Sequence, residues 1–502
     1  MAGKEIELKL ALAPAGVAAV RRLPWLAELR QGRASGRSLR STYYDTADHT
    51  LAKAGISVRL RTGAGGVLQT VKDSGQRASG LFARREWETR VSGPDLDTAQ
   101  LTATGINLLA DPAVVAALSP IFSTEVRRTA YQLAGPDWQV EMALDVGDVV
   151  AGERHEPIRE IELELRQGDP SQLFALARRL AESLPVNLLA LSKSDRGYGL
   201  ARGRGPSAVK AKPVELEPKT TLGEGFQTIA RNCLHHLLAN EGSLLTHGDA
   251  EAVHQMRVAL RRLRSALKVF RPLVDSPELA GIKAEIRWLL GRLGPARDAE
   301  VFVAEILDPV VEAHPGVDGL VALRDHFIAE RDRDLAAARQ GVAERRFTIM
   351  LLDLGAWVEA GTWTSHPMAR EPIAPFARHV LKRLARKLRK AGGKSLHRLA
   401  PPDLHEVRIR GKQLRYAGEF FAPLWAKQKS KEYLAALSTL QDLLGEMNDI
   451  AVAGPRLAAC HHLPGLAWAA GLVTGWHDAR RPALMESADD LWAEFRKRKG
   501  FW

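Results

Sequence analysis

The sequence predicts a multidomain protein. An α+β half built on a closed antiparallel β-barrel precedes an all-α half of two pseudo-symmetric helical bundles. Three observations carry this. Before about residue 165, charged and apolar residues alternate with the period of two that marks strands. The stretch 201–221 is rich in Gly, Pro, Lys and Ser and reads as a linker. Beyond it apolar residues recur at helical spacing, and the pattern repeats at an offset of 151 residues.

At 502 residues the chain exceeds one ordinary core. No run of eighteen apolar residues is present, so no membrane span is expected. The first residues form a charged strand and not an apolar leader, and Cys233 and Cys460 show no metal-ligand spacing. Both features fit a cytoplasmic protein with buried thiols. The net charge of +12 calls for a polyanionic partner: nucleic acid, anionic lipid or polyphosphate. Residues 1–205 hold 27 Lys and Arg against 24 Asp and Glu, and the remainder holds 44 against 35, so most of the excess lies in the helical half.

The strands come first. In EIELKL, Glu5, Glu7 and Lys9 share one face while Ile6, Leu8 and Leu10 share the other. SVRLRT places Arg59 and Arg61 together, RREWETRV groups Arg84, Glu86 and Glu88, and REIELELRQ groups Glu160, Glu162 and Glu164. VLQTVK and WQVEMALDV also alternate. An ordinary sheet with one wet face gives such alternation too. Glu-x-Glu strands at both ends of a domain, with Arg-x-Arg between them, are better accommodated inside a barrel. There the carboxylates can gather divalent cations while arginines grip a polyanion. A helix over about 170–184 and a strand-like piece near 190–194 complete this half.

The ordered set EIELK, Tyr44-Asp45-Thr46, Val58–Arg61, Thr70-Val71-Lys72, Arg84–Glu88, Arg128, Asp145, Glu160–Glu164 and Leu191-Ser192-Lys193 resembles the CYTH superfamily, the triphosphate tunnel metalloenzymes. The resemblance covers residues 1–202 and implies an eight-stranded tunnel that holds a triphosphate with Mg²⁺ or Mn²⁺. By position, Glu5, Glu7, Glu160, Glu162 and Glu164 would hold metal. Asp145 is either an addition to that set or part of the tunnel lining with Glu86 and Glu88. Lys9, Arg59, Arg61, Lys72, Arg84, Arg128 and Lys193 would bind phosphate, and Glu5, Glu7, Lys9 and Lys72 are the expected catalytic group. The implied activity is hydrolysis of inorganic triphosphate or another short triphosphate. A catalytically weak binding protein, an adenylyl cyclase and an RNA or nucleoside triphosphatase are the alternatives.

In the helical half, EAVHQMRVALRRLRSALKVFRPLV (251–274) aligns without gaps on PDLHEVRIRGKQLRYAGEFFAPLW (402–425). His254, Arg257, Arg261 and Arg264 then match His405, Arg408, Lys412 and Arg415, each set one stripe of a helix. Arg297-Asp298 matches Asn448-Asp449, where the aspartates are expected to orient neighbours and not to bind metal. A further basic run, 378–390, contains Arg378 and Lys382. Charge runs are usually solvated helix faces, but two stripes in one register favour a binding surface. The histidines read equally as ligands or as structural hydrogen-bonders. This half, about 218–500, resembles the CHAD domain, which implies binding of inorganic polyphosphate through these stripes, with Arg378 and Lys382, and association with polyphosphate granules. Nucleic acid ranks behind polyphosphate, because few aromatics interleave with the stripes. The expected layout is 1–202, a linker over 203–219, and 220–500 with repeats near 220–301 and 371–452. The sequence does not fix the oligomeric state.

Overall fold

The computed structural model describes residues 3–63, 65–73, 75–78 and 80–502. It divides into two compact units. The first holds the chain up to Val209 with Leu234–Thr246 and Ala343–Gly361. The second holds Lys210–Cys233, His247–Val342 and Thr362–Trp502.

The first unit is built from β1 (Gly3–Leu12), β2 (Ser35–Asp45), β3 (Ser57–Gly63), β4 (Gly66–Lys72), β5 (Gln76–Ala78), β6 (Leu81–Val91), β7 (Ser119–Ala134), β8 (Gln139–Ala151), β9 (Arg154–Gln167) and β10 (Val186–Leu188). Eight of them form a ring in the order β1-β9-β8-β7-β2-β3-β4-β6, closed by antiparallel pairing of β6 with β1. The expected eight-stranded barrel is therefore present. The first half of β1 pairs with β6 and its second half with β10, so both its edges are covered. At the β8–β9 hairpin, Ala151 pairs with Arg154 across a two-residue turn, and Gly152 takes a φ of 60° that glycine adopts without strain.

Alternation then sorts the side chains. Leu8, Leu10, Ile161 and Leu163 are fully buried outside the barrel wall. Helix Ser171–Ser183 lies over β1 and β9, and helix Arg345–Ala360 packs on that helix. The latter falls in the helical half by sequence but within the first unit by packing.

The strand-like piece expected near 190–194 is not a strand. β10 ends at Leu188, and helix Lys193–Ala201 begins with a capping box. Ser192 Oγ accepts from the Asp195 N–H, and the Asp195 carboxylate accepts from the Ser192 N–H. Serine followed three residues later by an acid is a helix-start signal, and here it outcompetes strand propensity.

The second unit shows its repeat as a local two-fold. Thr221 lies opposite Pro372 in an antiparallel bridge; the Leu222 N–H donates to Glu371 O (2.7 Å) and the Ile373 N–H to Thr220 O (3.1 Å). Each partner equals the other's counterpart at offset 151. Phe270 and its counterpart Phe421 meet with ring centroids 5.9 Å apart. The stripes lie on helices Ala250–Val269 and Pro401–Phe421, followed by helices Glu278–Val301 and Lys427–Ala459. No described helix is long and apolar enough to cross a membrane.

Gly197, in helix Lys193–Ala201, lies against Phe122: a Cβ there would sit 2.0 Å from the ring. Alanine normally favours a helix over glycine. Gly197→Ala should instead lower stability by about 1–3 kcal/mol through overpacking, read as a lower melting temperature in thermal denaturation.

Candidate functional site

The inward face of the barrel encloses a cavity of about 200 Å³. Its lining includes Glu5, Glu7 and Lys9 of β1, Arg59 and Arg61 of β3, and Lys72 of β4. Arg84, Glu86 and Glu88 come from β6, Arg128 from β7, Glu141 and Asp145 from β8, and Glu162 and Glu164 from β9. Lys193 enters from the first turn of its helix. Glu160 sits behind this lining, fully buried.

Strand register decides which charges meet. Glu5 is opposite Arg84, Lys9 opposite Glu162, Lys72 opposite Glu86 and Arg128 opposite Asp145. These become ion pairs: Arg84 Nε to Glu5 at 3.0 Å, Lys72 to Glu5 and Glu86 at 2.7 and 2.9 Å, and Arg128 to Asp145 at 2.6 Å. Arg84 also bonds Glu7, and Lys9 links Glu7 (2.7 Å) to Glu162. Burial opposes the charged form of Glu162, yet Lys193, Lys9 and Arg128 hold its pKa well below the usual carboxylate range. Burial likewise opposes Glu5, where Lys72 and Arg84 prevail.

Other registers bring like charges together: Asp145 opposite Glu160, and Glu164 opposite both Glu7 and Glu141. Such pairs are unfavourable unless a cation intervenes. Asp145, Glu160 and Glu162 converge, with one oxygen of each within 4.8 Å of the others. Lys193 Nζ lies among them, 2.7 Å from Asp145, 3.0 Å from Glu162 and bonded to Glu160. An all-carboxylate donor set suits a hard divalent cation. Glu5 and Glu7 form a separate pair around Arg84. Glu164 is pushed up to about 7 by burial and by Glu5, Glu141 and Glu7, with Arg166 (2.5 Å) opposing.

The arginines of β3 contrast with the paired cations. Among the described residues no carboxylate lies within ion-pair distance of Arg61, and Arg59 reaches only Glu86, at 3.9 Å. The Nε atoms of both are buried without a partner. Arg61 is pushed down to about 10 by Arg59, then by burial and Arg128. Mutual repulsion and unused donors are the chemistry that an anion would satisfy.

Several residues at this site escaped the sequence reading. Tyr43 lines the cavity, is stacked on Phe122 (centroids 4.4 Å) and accepts from Arg59 Nη1 at 3.3 Å. It shares a strand face with Ser41, Leu39 and Arg37, a parity visible in SGRSLRSTYYD but too mixed to signal a site. Arg166 stands at the end of the β9 run. Arg196, one turn after Lys193, pairs with Glu156 and Glu160 (2.6 and 3.3 Å).

In the second unit Arg261, Arg408, Lys412 and Arg415 gather between the two stripe helices. Lys412 falls to about 7 through burial, then Arg408, Arg261 and Arg415. Arg257 and Arg408 occupy matched places, paired with Asp298 (3.1 Å) and Asp449 (3.9 Å), and the Nε of each is buried without a partner. Each aspartate thus stands beside an arginine of its own repeat. His254 drops to about 4 through burial and Arg297, while His405 Nδ1 lies 3.0 Å from Asn448 Oδ1. Arg264 is exposed and neighbours Lys268, with Lys387 and Arg410 nearby. Arg378 and Lys382 are exposed on helix Ile373–Gly392.

Residues 3–198 match the CYTH domain family model and residues 228–458 the CHAD domain model. An inorganic triphosphatase of Haemophilus influenzae is 35% identical over 198 residues, which is 39% of this chain and 54% of the relative. The chain thus spans about half the length of that relative. An uncharacterized protein of Mycobacterium tuberculosis is 28% identical over 456 residues, covering 86% of this chain and 84% of the relative. The crystal structure of the CHAD domain from the plant Ricinus communis is 31% identical, covers 59% of this chain and 99% of its own, and superposes with a TM-score of 0.52.

Removing the ammonium at the acidic cluster is a direct test of its charge balance. Lys193→Ala should cost about 3–5 kcal/mol in the absence of divalent cations, because buried carboxylates lose their counter-charge. Millimolar Mg²⁺ should then raise the melting temperature of the variant more than that of the wild type.

Proposed function

We propose, for a chain that belongs to the CYTH and CHAD families, that the barrel hydrolyses inorganic triphosphate or a similarly short triphosphate with Mg²⁺ or Mn²⁺, and that the helical unit binds inorganic polyphosphate. The observation that carries the first reading is the division of the tunnel into Arg59 and Arg61, with unused donors, and a convergent carboxylate cluster. A triphosphate with a divalent cation is a ligand that answers both needs. The triphosphatase likeness of the CYTH part supports the same reading.

The chain's own groups fit the steps. Arg59 and Arg61 bind phosphoryl oxygens, and Tyr43 braces Arg59. Asp145, Glu160 and Glu162 would hold the cation, with Glu5 and Glu7 on the neighbouring wall. When bound, it neutralises charge on the phosphoryl oxygens. Water attacks the terminal phosphorus, the bond to the bridging oxygen breaks, and pyrophosphate leaves with orthophosphate as the second product. Glu164, poised near pH 7, can take the proton released by the water. The buried pairs hold these groups still, so little reorganisation is needed as charge shifts.

For the helical unit, the supporting observation is the cationic groove itself. Arg261 and Lys412 have no carboxylate at ion-pair distance among the described residues, and an extended polyanion supplies the missing charge.

Two outcomes follow. Glu162→Gln, which disturbs Lys9, Arg128 and Lys193 together, should lower Mg²⁺-dependent orthophosphate release from inorganic triphosphate about 10²–10³-fold. Release at the wild-type rate would place the reaction elsewhere. In the groove, burial and then Arg408, Arg261 and Arg415 push Lys412 down to about 7, against an ordinary value of 10.5. A bound anion raises that pKa, so polyphosphate binding at pH 7.5 should take up protons. Calorimetry in buffers of differing ionisation enthalpy would detect this, and Lys412→Ala should abolish the uptake.

A further inference from the structure

Helix Ile373–Gly392 carries more positive charge than its place in the repeat requires. Arg378, Lys382, Arg383, Arg386, Lys387 and Arg389 lie on it. At offset 151, helix Leu222–Ala239 has Gln227, Arg231, Asn232, His235, His236 and Leu238. The bridge between Thr221 and Pro372 fixes that register in three dimensions. The helix still buries Val380, Leu381, Leu384 and Leu388 on its packed side. The added charge therefore serves the outer side.

That side is open. Lys382, Arg383, Arg386 and Lys387 are exposed, and among the described residues none of them forms an ion pair with a carboxylate. Arg389 donates to Arg498 O at 2.9 Å, which ties the helix to the stretch Arg496–Lys499, four more exposed cations. Three residues further on, Trp502 closes a cavity of about 300 Å³ with Lys382, Arg386 and Arg389. Edge-to-face contacts with Tyr433 (5.3 Å) and Phe501 (5.0 Å) hold its indole.

We infer that this face is a second polyanion site and that it binds single-stranded nucleic acid, with phosphates on Lys382, Arg386 and Arg389 and a base stacked on Trp502. Inorganic polyphosphate has no use for an aromatic wall, whereas a base gains from one with little regard to sequence. The groove between the stripe helices offers no such wall, because Tyr416 there is buried. The two faces thus differ in the feature that separates the two kinds of polyanion. This inference goes beyond the polyphosphate reading and does not depend on it.

The test uses the full chain and a short labelled oligouridylate, read by fluorescence anisotropy at fixed salt. Trp502→Ala and the exposed double variant Lys382→Glu/Arg386→Glu should each weaken binding at least ten-fold. Trp502→Phe should retain it, and the groove variant Arg261→Glu/Lys412→Glu should weaken it less than either. An abasic strand of equal length should bind the wild type at least ten-fold more weakly than oligouridylate, which tests stacking without any variant. The inference is overturned if the wild type does not bind oligouridylate, if the abasic strand binds equally well, or if only the groove variant loses binding.

Discussion

The register between neighbouring barrel strands is the constraint on which the rest depends. Once β1 pairs with β6 and β9, the positions opposite Glu5, Glu7 and Lys9 are fixed. A slip of one residue would turn all three outward and bring Ile6, Leu8 and Leu10 into the cavity. The outer apolar face forbids that slip, since Leu8 and Leu10 are fully buried there. A hydrophobic constraint on one side of the wall thereby positions charged groups on the other. The energetic logic is that of buried ion pairs: each is expensive alone and tolerable because its counterpart is already in place.

The second unit uses duplication to similar effect. A two-fold that passes between Thr221 and Pro372 brings matched stripes face to face, so cations that would be solvated on a single helix become crowded. Burial first, then crowding by Arg408, Arg261 and Arg415, pushes the pKa of Lys412 down, and the Nε atoms of Arg257 and Arg408 are left without partners. One stripe alone would be an ordinary charged face; two crowd cations to the point that a bound anion would relieve their repulsion.

The barrel, the helical half and most tunnel residues were legible because period-two alternation and the offset of 151 are properties of the chain. Which carboxylates converge was not legible. Asp145 is one acid within WQVEMALDV, and only the β8–β9 register sets it opposite Glu160. Glu5 and Glu7 stand out in the sequence, yet Arg84 draws them into a pair of their own. Tyr43 was hidden because a tyrosine on a mixed strand face has many ordinary uses. The capping box at Ser192–Asp195 was readable, and it alone would have placed Lys193 on a helix start. Arg264 shares the heptad-like spacing of its stripe, but exposure turns it toward Lys268, a distinction that spacing does not carry.

Charge balance also fixes how the tunnel can be loaded. Among the described residues, Arg37 and Arg61 have no carboxylate at ion-pair distance and Arg59 reaches only Glu86, at 3.9 Å, while the other cations of the lining are matched. A polyanion that entered alone would find few free cations and several carboxylates that repel it. A divalent cation that entered alone would meet Lys193 in the acidic cluster and be repelled in turn. On the reading proposed above, a cation entering with a triphosphate would be held by Asp145, Glu160 and Glu162 in place of the ammonium, which would leave Lys193 to meet a phosphoryl oxygen. Each ligand would then remove the obstacle to the other, and their affinities would be coupled, by linkage reciprocally. On that reading the buried pairs of the free protein would be more than scaffolding, because they would set the condition under which the tunnel accepts charge.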